Sequence, residues 1–256
     1  MRRRRAADGG IALTEEETRM IEILKKEVRQ FFVTPMGYII VGIYYFLSSL
    51  YFCVVNLSGT MVDLSYVFAF QSNWLLMFLL PMLTMRMLAE ERRTKTDQLL
   101  LTAPVSVTGI VYGKFLAAFV MFVSCALCNV LFFLIVSTHS PMVLWAEFLC
   151  RMLGLLLLGG AILAVDLLIS ALAENQLIAA FAAMGINILM LVGRSYVATI
   201  PSGWLQFAVS LISVFQRFYD TFLVGILNYS SVVYYFSVVM FFLFVTGQVV
   251  ERRRWS

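Results

Sequence analysis

Residues 201–225, PSGWLQFAVSLISVFQRFYDTFLVG, decide how this chain folds. The stretch is long enough to cross a bilayer, but it carries Arg217 and Asp220. Each charge costs on the order of 3 kcal/mol at the centre of a membrane helix. The part ahead of them, Trp204 to Phe215, is only 12 residues. A span needs about 20 residues, so that part is too short. Pro201-Ser202-Gly203 reads as a turn or helix start. The expectation is a re-entrant or interfacial helical element rather than a span.

The rest of the chain supplies the membrane. Of 256 residues, 61% are hydrophobic and 13% charged. Mean hydropathy is +0.89. A soluble domain carries about a quarter charged residues, so the class is a polytopic membrane protein. Six runs are apolar and long enough to span, at about 36–56, 65–85, 107–136, 144–172, 176–193 and 231–250.

Charge orients them. Lys and Arg concentrate in cytoplasmic flanks. With six spans, sixteen of the 19 basic residues fall on one side. They are the arm from Arg2 to Arg29, then Arg86, Arg92, Arg93, Lys95 and Lys114, and Arg252 to Arg254. Only Arg151, Arg194 and Arg217 fall on or near the other side. A seventh span would put Arg252 to Arg254 outside. Six spans with both termini cytoplasmic follow, with 201–225 on the outer face. The basic start lacks an apolar run directly after its charges, so no cleavable signal is expected.

Residues 1–35 read as a cytoplasmic arm, 36–250 as the transmembrane domain and 251–256 as a tail. Thr14 to Glu17, TEEE, is a capping-box pattern. Met20, Leu24, Val28, Phe31 and Phe32 recur at helical spacing, with Lys25, Lys26 and Arg29 among them. A basic amphipathic helix of this kind lies in the membrane interface. Pro35 ends it.

Several chemistries are absent. No GxxxxGK[ST] or HExxH occurs, and His139 is the lone histidine. Cys125 and Cys128 form a CxxC pair inside an apolar run, where cysteine acts as a small hydrophobe. Asp166 is the one carboxylate well inside a predicted span, and a helix–helix hydrogen bond or local ion pair is favoured for it over a proton relay. Glu147 and Arg151, four apart, can pair. Gly154, Gly159, Gly160 and Ala161 to Ala164 suggest close packing on that span. No catalytic or metal-binding residue and no nucleic-acid partner is expected.

One loop stands out. In residues 90–106, EERRTKTDQLLLTAPVS, charges are followed by Leu99, Leu100 and Leu101, and Pro104 stops the helix they would form. Charge alone would serve as a topological anchor. A short helix bounded in this way also suits a soluble partner, with charges giving register and leucines giving a surface to bury.

This loop resembles that of type-2 ABC exporter permeases. Glu90, Glu91, Arg92, Arg93, Thr96, Leu99, Leu100, Pro104, Val105, Gly113, Lys114 and Phe115 carry the likeness. Lys95 stands where glycine is usual and Gln98 where glutamate is usual. The arm's KKEVRQFFVTPMGYII and the tail's closing Arg253-Arg254-Trp255 are similar to the gliding-motility-type branch. The resemblance implies an all-α membrane protein of six transmembrane helices, an N-terminal amphipathic interface helix, a cytoplasmic coupling helix and outer re-entrant helices between spans 5 and 6. It implies a permease with no cofactor of its own. Two ABC ATP-binding subunits would hold ATP and magnesium. A second permease, itself or a paralogue, and a membrane-anchored protein with an extracytoplasmic domain are the further partners implied. The location implied is the bacterial inner membrane. The ATPase-coupling residues would be Glu90, Glu91, Arg92, Arg93, Thr96, Leu99, Leu100 and Pro104.

Two other classes remain open from the residues. A secondary transporter or channel would need an ion-coupling site. A membrane-embedded enzyme would have Asp166 as its acid. Aromatic-rich segments such as 44–46, 68–74 and 215–222 suit an interface or a cargo path equally, and no substrate residue is assigned.

Overall fold

The computed structural model describes residues 20–57, 63–89, 107–139, 145–197 and 214–254. Among them the chain is all-helical, with eight helices. The first, α1, covers residues 20–33. Six helices are long and apolar enough to cross a membrane: α2 Pro35–Leu57, α3 Ser65–Thr84, α4 Val107–Thr138, α5 Trp145–Leu172, α6 Gln176–Arg194 and α8 Tyr229–Arg252. The short α7, residues 214–222, lies between α6 and α8.

Chain direction alternates through the six long helices, so the bundle has two ends. The arm end gathers α1, the start of α2, the end of α3, and the start of α4. The far end holds α7 and the opposite helix termini.

Burial ranks the helices. In an apolar 18-residue stretch of each, 72% of the residues are buried in α5 and 67% in α3, against 22% in α2, α6 and α8. α5 is therefore the central pillar, packed by α3, α4, α6 and α8. Its small residues explain how. A Cβ on Gly159 would lie 2.2 Å from the Phe122 ring of α4, and one on Gly154 would lie 2.2 Å from Phe222 of α7. Ala161 and Ala164 are fully buried. In a bilayer, where water does not drive helices together, such close approach supplies the association.

Among the described residues three π-helical turns interrupt the pattern, at Cys53–Leu57, Gln71–Leu75 and Phe218–Phe222. Each rotates the side chains that follow. The second places Gln71 inside the bundle. There Gln71 Nε2 donates to Ser48 Oγ at 3.1 Å and to Asn129 Oδ1 at 2.9 Å, and Asn129 Nδ2 donates back to Gln71 Oε1 at 3.0 Å. This buried amide pair ties α2, α3 and α4. Cys125 and Cys128 are buried on α4, and none of the described cysteines forms a disulfide.

Asp166 is fully buried on α5 and accepts from Asn187 Nδ2 of α6 at 3.1 Å, the helix–helix hydrogen bond expected of it. Residues 201–213 of the expected outer element lie outside the described residues, as does the capping box at Thr14 to Glu17.

Candidate functional site: the junction at the arm end

Three segments meet at the arm end. α1 forms because Met20, Leu24, Val28 and Phe31 share one face, and that face packs on the bundle. Phe31 is buried, while Met20, Leu24 and Val28 are half-buried. Lys25, Lys26 and Arg29 face out and are exposed. Phe32, one residue on from Phe31 and so turned about 100° around the helix, points away at 42% exposure. Thr34 breaks α1 from α2, and Pro35 opens α2 at a position where its missing N–H costs nothing.

Gly113 of α4 lets α1 approach closely, since a Cβ there would meet Ile23 Cγ2 at 3.1 Å. One residue on, Lys114 is only 1% exposed. Its Nζ sits 3.1 Å from Glu27 Oε1 of α1 and donates to the Met87 carbonyl at 2.8 Å. Burying an ammonium is tolerable only when it is paired and hydrogen-bonded, and these partners meet that condition. Met87 lies just past α3, before residues 90–106, and Lys114 lies just after them. One cation thus joins α1 to both flanks of that segment. Nearby, the Ala89 N–H donates to Ser170 Oγ of α5 at 3.3 Å. A cleft beside the ion pair is lined by Glu27, Phe31, Met36, Ile40, Met82 and Arg86.

The loop residues Glu90, Glu91, Arg92, Arg93, Thr96, Leu99, Leu100 and Pro104 lie outside the described residues. What the structure brings together is their two flanks and the arm. Sequence reading passed over Glu27. The signal was there: an acid set within the apolar stripe of Met20, Leu24, Val28 and Phe31.

The far end is built differently. The three basic residues that broke the charge bias all contact residues of 214–234. Arg151 Nε donates to the Leu223 carbonyl at 2.9 Å, and Arg151 also pairs with Asp63 at 3.1 Å and Glu147 at 3.4 Å. The i,i+4 pair expected from spacing therefore forms. The Arg194 guanidinium lies 3.3 Å from the Tyr219 ring centre, and Arg217 lies 4.2 Å from that of Tyr234. Tyr219 also hydrogen-bonds the Ala69 carbonyl at 3.2 Å, and burial raises its phenol above the ordinary range. Phe215, Phe218 and Phe222 are fully buried. Tyr235 Oη donates to the Val214 carbonyl at 2.8 Å. Gly225 takes a left-handed φ of +88° against Glu147, which lets the chain turn from α7 toward α8.

Among the described residues no cluster of His, Cys, Asp or Glu could hold a metal ion. Six helices long and apolar enough to cross a membrane, with a basic arm helix packed beside one loop, define a multi-pass membrane protein. The chain belongs to the ABC-2 family transporter proteins, whose family model matches residues 20–200. It is the transmembrane permease of an ABC-2-type transporter, the component without catalysis of its own. No curated protein matches the chain.

Proposed function

We propose that this permease exports its cargo from the cytoplasm of a bacterium, driven by two separate ATP-binding subunits that dock on residues 86–106. ATP and magnesium belong to those subunits. The arm end is the cytoplasmic end, both termini are cytoplasmic, and residues 201–225 form the outer re-entrant element. α1 lies in the inner leaflet's interface. Its exposed Lys25, Lys26 and Arg29 suit anionic headgroups.

The observation that supports coupling through this loop is the shared anchorage of its two flanks on α1 through Lys114. When the ATP-binding subunits close, a segment held in that way moves with the arm and rocks the attached spans as rigid bodies. Arg92 and Arg93 would face acids on the ATP-binding subunit, and Leu99 and Leu100 would bury against it or against α1. The partner permease is a second copy or a paralogue. The likeness of the arm and tail to the gliding-motility-type branch adds a membrane-anchored partner with an extracytoplasmic domain.

The test is co-purification of the ATP-binding subunit with the double variant Arg92→Glu, Arg93→Glu. Loss of the subunit from a normally inserted permease supports the reading. Unchanged co-purification overturns it. A reporter fused after Ser256 checks the orientation, and its appearance outside the cytoplasm would reverse it.

A further inference from the structure

Resting on that reading of the loop, we propose that Lys114 and Glu27 act as positioning residues that pass movement of the loop to the arm helix. The geometry supplies three links. Lys114 holds α1 through Glu27 at 3.1 Å and the turn just past α3 through the Met87 carbonyl at 2.8 Å. Gly113 seats the same stretch of α4 against Ile23 of α1. Both sides of the pair are shielded, with Lys114 1% and Glu27 10% exposed at the side chain.

Shielding matters for the mechanics. A surface ion pair contributes little and breaks easily. A buried pair cannot separate without leaving an uncompensated charge in an apolar setting. The two flanks of the loop and the arm therefore move as one body. Three packed helices joined only by apolar contacts can slide past one another, as shear motions do. The ammonium adds a fixed point to that packing, because its donors are aimed at a carboxylate and a carbonyl on two different segments. Pro35 then carries the movement on, since α2 begins directly after α1 with a single non-helical residue, Thr34, between them.

The role differs from simple stabilisation in what survives its removal. Replacing both charges with apolar side chains of similar volume often leaves a protein folded. The variant Lys114→Met, Glu27→Met should insert and bind the ATP-binding subunit at the wild-type level while losing transmission. Lys114→Arg keeps charge and donors and should retain it.

Two measurements test this. The first uses the permease with its co-purified ATP-binding subunits in proteoliposomes. The reporter is Cys53, exposed near the end of α2 remote from the arm, whereas Cys125, Cys128 and Cys150 are buried. ATP with vanadate should change the rate of maleimide labelling at Cys53 at least threefold in the wild type and in Lys114→Arg. It should change it less than 1.5-fold in the double Met variant, with the ATP-binding subunit still bound. A full response in the double Met variant overturns the proposal, and so does loss of the bound subunit, which would make the pair a docking element.

The second measurement uses the permease alone in nanodiscs and needs no partner. Amide exchange across residues 20–33 should quicken about tenfold in the double Met variant, with α5 unchanged. Unchanged exchange in residues 20–33 overturns the clasp even if the loop reading stands. If the Arg92, Arg93 variant fails to release the ATP-binding subunit, the loop reading fails while the exchange result still decides the clasp.

Discussion

The two ends of the bundle hold their charges in opposite ways. At the arm end the buried cation Lys114 meets, among the described residues, the Glu27 carboxylate and the Met87 carbonyl, and so links three segments. At the far end three arginines spread over two aromatic faces, two half-exposed acids and a carbonyl. Apart from its exposed cations, Lys25, Lys26 and Arg29 among them, the arm end places its interhelix charge contacts among the described residues at one point out of water. The far end distributes them, and takes its cohesion from Phe215, Phe218 and Phe222, which are fully buried. A concentrated buried charge is rigid and intolerant of loss. A distributed partly wet set is replaceable one member at a time.

The largest expected effect tests the concentrated end. Lys114→Ala leaves Glu27 and the Met87 carbonyl without their donor, and breaking a buried pair on one side costs about 3–5 kcal/mol. Thermal unfolding in detergent, followed by size exclusion, should show a large loss of folded protein. A shift no larger than that of a surface lysine such as Lys25→Ala would erase the distinction between the ends.

Next in size is the far end's packing. Gly154→Ala drives a Cβ to 2.2 Å from Phe222 Cβ, an atom close to the backbone. Overpacking of this kind costs about 1–3 kcal/mol. Gly159→Ala meets the outer ring atoms of Phe122 instead, which can swing, so it should cost less. The reverse order in melting temperature would show that α7 gives way more readily than its burial implies.

Asp166 lies between the two ends in depth. Asp166→Asn keeps a partner for Asn187, whereas Asp166→Ala removes it. Hydrogen bonds between membrane helices are worth about 1 kcal/mol. The Asn variant should therefore stay assembled and active, with the Ala variant modestly less stable. Complete loss of activity in a folded, assembled Asp166→Asn protein would instead give the acid a chemical role.

The smallest effect belongs to the distributed charges. Arg194→Ala removes a cation from the Tyr219 ring, worth about 0.5–1 kcal/mol where partly exposed. Unfolding should barely move. A loss as large as that of Lys114→Ala would mean that the far end, too, hangs on a single charge.

Much of this was legible in the residues. Apolar runs marked six helices, and the observed candidate spans begin and end within two residues of them, although three of the helices run three or four residues further. That legibility comes from the solvent, since a bilayer core demands about 20 apolar residues in a row. The i,i+4 pairing of Glu147 with Arg151 and the packing role of Gly154 and Gly159 were also readable, because helical spacing is local. Three features were not. Lys114 counted as one more topogenic charge, although it is buried. Glu27 could be seen as an acid within the apolar stripe of the arm, but nothing local told which distant cation it would meet. Gln71 gave no sign of its bond to Asn129, because a π-helical turn sets its direction and no local pattern announces that turn.

By itself the sequence determined a membrane-embedded helical chain, the number of its apolar helices, and a charge-rich loop between two of them. Those properties depend on runs and periods a few residues long, and the bilayer reads them directly. Tertiary structure decided which charges meet. Lys114 finds Glu27 from 87 residues away, and Arg151 finds Asp63 from 88. Such pairings depend on which helix faces turn toward each other, and here small residues on α4 and α5 set those faces by allowing neighbours to approach. The short helix of residues 214–222 belongs to the second group as well. Its two charges kept it from reading as a span, and only the packed bundle supplied Tyr234 to receive Arg217.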